Sequence, residues 1–121
     1  MLSFPLEILD CVELEELDLS SNRLTSVQVE IKRLEKIKIL DLSHNPFEAL
    51  LDESFGLENL EYLGLSTCGL ERITESITRL SSRNSFKKLD LTGNNIPKIV
   101  KDKGYWGKLE LRRAFDGRIY L

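Results

Sequence analysis

The side chains of this sequence that could do chemistry are few. Two cysteines, Cys11 and Cys68, and one histidine, His44, are too few to complete a zinc site of four cysteine or histidine ligands. Asp41 and Ser43 lie just before His44, but neighbouring residues of a strand point to opposite sides, so a Ser–His–Asp triad is not expected. The spacing of the glycines fits no phosphate-binding loop. We therefore expect neither an enzyme nor a bound cofactor.

The composition narrows the class of protein further. With 121 residues, 41% hydrophobic and 31% charged, the chain is expected to form one folded domain. A net charge of -3 argues against a nucleic-acid binder or a protein of anionic membranes, which both depend on basic patches. No apolar run approaches the roughly 20 residues that cross a bilayer. The lack of a secretion signal and of an Asn-x-Ser/Thr glycosylation site favours a cytoplasmic, reducing location.

An eleven-residue pattern recurs four times, and the structure that it specifies must position any functional side chains. It reads Leu-x-x-Leu-x-Leu-x-x-Asn/Cys-x-Leu, with conservative apolar replacements, and its copies start 23, 23 and 26 residues apart. The period falls in the range of leucine-rich repeats. The copies are LEELDLSSNRL (14–24), IKILDLSHNPF (37–47), LEYLGLSTCGL (60–70) and FKKLDLTGNNI (86–96).

On these four stretches the chain resembles a small leucine-rich-repeat protein. The resemblance implies an α/β solenoid with a curved parallel sheet on the concave face and short helical or 3₁₀ arms on the convex face. It also implies that Asn22 and its equivalents bond to backbone groups of the turn, and that Cys68, a weaker donor, softens its own turn. Because Cys68 then points inward and His44 faces solvent, the two do not form a catalytic pair.

The repeats divide the chain into a series of coils with two ends of different kinds. Residues 1–13 resemble the second half of a repeat, in which Phe4, Ile8 and Cys11 occupy the places of Val27, Ile31 and Leu34. The last segment contains residues at helical spacing from Trp106 to Phe115, then an alternating strand, which predicts a closing cap. The predicted units are 1–13, 14–36, 37–59, 60–85, 86–105 and the cap 106–121.

The third repeat is three residues longer than its neighbours. The additional length falls in the polar stretch 81–85, Ser-Ser-Arg-Asn-Ser. We expect this stretch to be a flexible loop that bulges on the convex side, since surface loops tolerate insertions.

Stacked repeats place equivalent residues in rows across the concave sheet. One row alternates in charge and mainly supports the sheet, as cross-strand pairs do: Glu15, Lys38, Glu61 and Lys87. The next two rows are expected to carry specificity: Glu16, Ile39, Tyr62 and Lys88, then Asp18, Asp41, Gly64 and Asp90. Ile39 and Tyr62 form an apolar centre, aromatic residues are enriched in interfaces, and Gly64 leaves a gap beside Tyr62 for a partner side chain.

These rows predict a non-enzymatic protein–protein interaction module. The partner is expected to be a protein or peptide that carries Lys or Arg and one apolar anchor. The predicted contact residues are Glu16, Asp18, Ile39, Asp41, His44, Glu61, Tyr62, Lys88 and Asp90. Two alternatives stay open: a structural repeat segment that self-associates through an open N-terminal edge containing Leu2, Phe4 and Ile8, and a regulatory fragment of a larger signalling protein.

Overall fold

The computed structural model describes residues 5–47 and 55–121. Five short parallel strands form its main sheet: β1 (Glu16–Asp18), β2 (Ile39–Asp41), β3 (Tyr62–Gly64), β5 (Lys88–Asp90) and β7 (Ile119–Tyr120). They lie in the order β1-β2-β3-β5-β7. The predicted curved solenoid with a parallel sheet is therefore confirmed for the part of the chain that the structure describes.

The pairing register follows the period of the repeats. Leu17 lies opposite Leu40, Leu40 opposite Leu63, and Leu63 opposite Leu89. These leucines alternate with outward-facing residues, which is the period-2 pattern of a strand with one buried face. Leu40, Leu63 and Leu89 are fully buried. Each repeat thus adds one layer to a continuous core, as stacked repeats do.

The arms that return along the convex side are short 3₁₀ and α-helical segments, as predicted. The 3₁₀ segments are Leu6–Asp10, Val29–Arg33 and Glu75–Ile77, and the third continues into helix α1 (Thr78–Ser81). Ile31 and Ile77 are fully buried. The arms therefore close the core on the side opposite the sheet.

The C-terminal helix starts two residues later than the spacing predicted. Trp106 lies in strand β6 (Tyr105–Trp106), which pairs antiparallel with β4 (Ile73–Thr74), and helix α2 spans Lys108–Phe115. Lys108 and Leu109 are the first two residues of this helix. Their backbone N–H groups donate to carbonyls outside the helix, those of Pro97 and Lys98. A Cβ at Gly107 would lie only 2.7 Å from the Lys98 carbonyl oxygen, so a glycine permits this close approach.

The polar stretch 81–85 is not the free loop that was expected. Arg83 donates from Nη1 to the Leu57 carbonyl at 2.7 Å and from Nη2 to the Phe55 carbonyl at 3.2 Å. The carbonyls of Ser81 and Arg83 accept hydrogen bonds from Arg118, 37 and 35 residues further along the chain. The prediction failed because it considered only local polarity, whereas both arginines bond to distant backbone.

The N-terminal half-coil keeps the backbone of a repeat but loses part of its burial. The Ile8–Pro5 and Cys11–Ile8 backbone hydrogen bonds copy the Ile31–Gln28 and Leu34–Ile31 bonds one repeat later. Leu34 is fully buried, yet Cys11 is exposed, and Leu9 is the buried residue of the first arm. Cys11 therefore has the backbone position of Leu34, as predicted, but its side chain is not covered by a further layer among the described residues. Leu2 and Phe4 lie outside these residues.

Candidate interaction surface

The concave sheet presents two rows of outward-facing side chains in the predicted register. Glu16 lies opposite Ile39, Ile39 opposite Tyr62, and Tyr62 opposite Lys88. Ile39 is 39% exposed and Tyr62 is partly buried between its neighbours. An apolar and an aromatic side chain therefore lie side by side in the middle of a polar sheet.

A second tyrosine joins this face from the C-terminal strand, and the sequence analysis missed it. Tyr120 pairs with Asp90 across β5 and β7 and is 51% exposed. The Lys88 ammonium lies 4.1 Å from the centre of the Tyr120 ring, within the range of cation–π attraction, and donates to the Gly117 carbonyl at 3.0 Å. The alternation over 118–121 carried the signal, since an inward Ile119 opposite Leu89 forces Tyr120 outward.

The pKa of the Tyr62 hydroxyl depends on its burial and on the charges around it. Burial raises the pKa of the Tyr62 hydroxyl, and the negative charges of Asp90 and Asp41 raise it further. The phenol therefore stays neutral at ordinary pH and can donate a hydrogen bond to a partner.

Three aspartates of the concave face have a structural role as turn caps. Oδ1 of Asp18 accepts from the backbone N–H of Ser20 at 2.9 Å, and Asp41 does the same for Ser43 at 3.0 Å. Asp90 accepts from the N–H of Thr92 at 3.0 Å and from its hydroxyl at 2.7 Å. The hydroxyl and the backbone N–H of Ser20 both donate to the Asp18 carboxyl, and these hydrogen bonds lower its pKa. The repeated Asp-x-Ser/Thr sequence thus ends each of these strands in the same way.

Gly64 does not leave the gap that was predicted beside Tyr62. A Cβ at position 64 would lie 2.5 Å from Oδ1 of Asp41, so the aspartate of the neighbouring strand already occupies that space. Without its own aspartate cap, the third repeat bonds differently: the backbone N–H of Ser66 donates to the Ser43 hydroxyl at 3.0 Å. The glycine is therefore part of the packing between β2 and β3.

The alternating charged row forms the ion pairs that its pattern predicted. Lys38 lies 3.2 Å from Glu15, and Lys87 lies 2.9 Å from Glu61. The hydrogen bond from Lys87 lowers the pKa of the Glu61 carboxyl. Water reaches both pairs and screens their charges, so each contributes little to stability. Glu61, one of the predicted contact residues, is thus already paired within the sheet.

His44 lies on the rim of the sheet, exposed, with a left-handed backbone at φ 59°. Its equivalents in the other repeats adopt the same conformation: Ser21 (φ 56°), Thr67 (φ 52°) and Gly93 (φ 74°). Non-glycine residues there cost about 1–2 kcal/mol. This row is therefore required to turn the chain, whatever its side chains contact.

The turn asparagines connect successive coils. Nδ2 of Asn45 donates to the Leu19 carbonyl of the preceding coil at 2.9 Å, and its Oδ1 accepts from the Leu24 N–H at 3.1 Å. In the next coil the Cys68 thiol donates to the Leu42 carbonyl at 3.4 Å. Burial raises the pKa of this thiol, so it remains protonated. The thiol replaces the asparagine donor but offers only sulfur as acceptor, so the softer turn stays a prediction.

The described residues assemble neither the Cys68–His44 pair nor a group of metal ligands. Cys68 is buried whereas His44 is exposed on the rim, so they do not meet as a reactive pair. Within ranges 5–47 and 55–121, no three His, Cys, Asp or Glu side chains are grouped to hold a metal ion. In the same ranges no helix has the length and apolar character to span a bilayer.

Comparison with known proteins agrees with this architecture. The sequence model of the family "Leucine rich repeat" matches residues 12–70. A search of curated proteins found no match. The chain is similar to the solved structure of a leucine-rich-repeat protein of Leptospira interrogans, with 28% sequence identity and a TM-score of 0.76. The alignment covers 98% of this chain and 28% of that one, so this chain spans less than a third of the length of its structural relative. The repeated pattern, the stacked parallel strands and both comparisons show that the chain has the leucine-rich-repeat fold.

Proposed function

We propose that this chain is a non-enzymatic interaction module that binds a protein or peptide through its concave sheet. Leucine-rich-repeat proteins are generally interaction modules, and this supports the general role. The observation that carries the specific proposal is the group Ile39, Tyr62 and Tyr120, which stays accessible on an otherwise polar face. Aromatic side chains supply much of the energy in protein interfaces, and a flanking polar rim excludes water from them.

The charges around this group favour a basic partner segment. In the described residues every hydrogen bond of Asp18, Asp41 and Asp90 uses Oδ1. The other carboxylate oxygen of each aspartate therefore remains available to accept from a partner lysine or arginine. Glu16 adds a further exposed acid beside Ile39. The matching ligand carries basic residues on either side of one apolar anchor that lies against Tyr62.

A displayed library of short random peptides tests the proposal, because it offers the concave face every combination of charge and anchor. Peptides selected on the chain are titrated against Tyr62→Ala and Asp41→Asn, the second of which keeps Oδ1 but removes the charge. Each substitution is expected to weaken binding at least about tenfold, the effect of a hot-spot contact. Val29→Ala is the matched control, because Val29 is 51% exposed on the convex side.

The concave proposal fails if selected peptides bind both Tyr62→Ala and Asp41→Asn as tightly as they bind the parent chain, or if Val29→Ala weakens them as much. Thermal melts of all three variants check that the fold is intact. The predicted role within a larger signalling protein and the predicted cytoplasmic location both stay proposals.

A further inference from the structure

The two ends of the solenoid carry opposite charge. Residues 1–60 hold 13 acidic and 5 basic side chains, a net charge of -8, and residues 61–121 hold 7 acidic and 12 basic ones, a net charge of +5; the two sum to the -3 of the whole chain. The first 18 residues contain six acids and no lysine or arginine. Because the repeats stack in sequence order, this division runs along the axis of the solenoid.

The N-terminal end exposes part of the core together with these acids. Leu14 is partly exposed whereas Ile37, its equivalent one repeat later, is fully buried; Ile8 and Ile31 differ in the same way. A shallow groove at this end is lined by Asp10, Cys11, Val12, Glu13 and Leu14. Strand β1 is the edge of the sheet, so the groove lies beside a strand edge that pairs with no other strand of the described ranges.

The C-terminal end is a basic counterpart of this surface. Strand β7 is the other edge of the sheet, and Ile119 remains partly exposed although its neighbour Leu89 is fully buried. The groove along β7 is lined by Thr92, Arg112, Gly117, Ile119, Tyr120 and Leu121. Arg112 and Arg113 are exposed, and neither takes part in an ion pair within the described residues.

We propose that the acidic N-terminal edge docks onto the basic C-terminal edge of a second copy of this chain. All five strands of the main sheet are parallel, so β1 of one copy can continue the sheet beyond β7 of the other in the same direction. The contact covers Ile8 and Leu14 of one copy with Ile119 of the other. It also brings the Asp10 carboxylate close to the Arg112 guanidinium. Attraction between these opposite charges steers the two copies together and favours their association.

Charged residues at the edges of a sheet can serve either to prevent association or to direct it. The signs of the charges distinguish these two explanations. Charged residues on an edge strand commonly prevent sheets from pairing. Two edges of the same sign repel in every arrangement, whereas edges of opposite sign repel only like ends and attract unlike ones. The observed division therefore disfavours a symmetric N-to-N dimer and favours head-to-tail stacking, a heterologous contact that is able to repeat.

Charge reversal at each end, followed by mixing, tests the proposal. One variant carries Asp10→Lys and Glu13→Lys, so that the charged side chains lining the grooves at both of its ends are basic. The other carries Arg112→Glu and Arg113→Glu, so that the charged side chains lining both grooves are acidic. The parent chain is expected to sediment faster as its concentration rises, and to return to the monomer near 1 M salt, where screening is nearly complete. Each variant alone is expected to associate at least about tenfold more weakly, and an equimolar mixture is expected to regain association.

A parent chain that stays monomeric at every concentration in low salt overturns the proposal. So does an Arg112→Glu/Arg113→Glu variant that associates as well as the parent, because that result indicates an N-to-N contact. Circular dichroism verifies the fold of both variants, and recovery in the mixture excludes misfolding as the cause of lost association. Tyr62→Ala is the matched control, since it alters the concave face and leaves both ends intact; its association is expected to equal that of the parent.

Discussion

Replacement of Arg118 is expected to be among the most damaging single changes in this chain. The guanidinium of Arg118 uses all five of its N–H donors on backbone carbonyls. Nε bonds to Phe115 at 2.9 Å; Nη1 bonds to Arg83 and Phe86, both at 3.0 Å; and Nη2 bonds to Ser81 at 2.7 Å and Ala114 at 3.3 Å. One side chain therefore joins the extended third repeat, the start of the fourth and the C-terminal cap.

The charge of Arg118 also matches the groups around it. Ser81 ends helix α1, and Ala114 and Phe115 end helix α2, so their carbonyls lack partners in the helix. The C-terminal ends of helices attract cations. A hydrogen bond to a charged group contributes about 1.5–3 kcal/mol, but water reaches part of this half-buried site and the five bonds are not additive. We expect Arg118→Met, which keeps the aliphatic stem, to lower the free energy of unfolding by about 3 kcal/mol.

Chemical and thermal unfolding measure this effect. For a domain of this size a loss of about 3 kcal/mol lowers Tm by about 10–15 °C. Arg118→Lys is expected to recover less than half of the loss, because an ammonium cannot reproduce the planar fork that spans the carbonyls. Arg113→Ala is the control: this arginine is exposed in helix α2, close to Arg118 in the chain, and its replacement is expected to change stability by less than about 0.5 kcal/mol. If Arg118→Met costs no more than Arg113→Ala, the carbonyls are satisfied by water and the reasoning is wrong.

Three further predictions follow from the packing between coils. Cys68→Asn is expected to raise the free energy of unfolding by about 1 kcal/mol in urea titrations, because it restores an amide donor and an oxygen acceptor; an unchanged midpoint refutes it. Gly64→Ala is expected to lower Tm by several degrees, since its Cβ would meet Asp41 at 2.5 Å, and the double variant with Asp41→Ala is expected to recover most of the loss. In thiol labelling of the native chain, exposed Cys11 is expected to react rapidly and buried Cys68, whose pKa burial raises, only after unfolding; two fast thiols in the native state contradict the described burial.

The structural features that the sequence predicted correctly involve residues at repeated positions of the pattern. Leu17, Leu40, Leu63 and Leu89 recur at one place in the pattern, so a single inference places all four and with them the register of the sheet. The outward rows follow automatically, because each lies one residue from a buried leucine. The fold and the register of the outward rows were therefore predictable from the period alone.

Contacts that occur only once were not predictable in this way. Arg118 bonds to Ser81 across 37 residues, and no repeat of the pattern indicates that pairing. The occupation of the Gly64 site by Asp41 depends on how one side chain leans across a strand, which local sequence does not specify. Tyr120 was missed for a related reason, because its strand joins the sheet without a leucine repeat to mark it.

The aspartates of the concave face were predicted to contact a partner, and they also have a structural role. Their turn-capping bonds explain why Asp18, Asp41 and Asp90 recur, so their recurrence by itself indicates stability and not binding. Ile39, Tyr62 and Tyr120 have no such explanation, since an exposed apolar side chain caps no turn and forms no cross-strand ion pair. Partner specificity is therefore expected to depend first on these three side chains, with the aspartates as a fixed acidic background. A partner that lost affinity with Asp41→Asn but none with Tyr62→Ala would reverse that order.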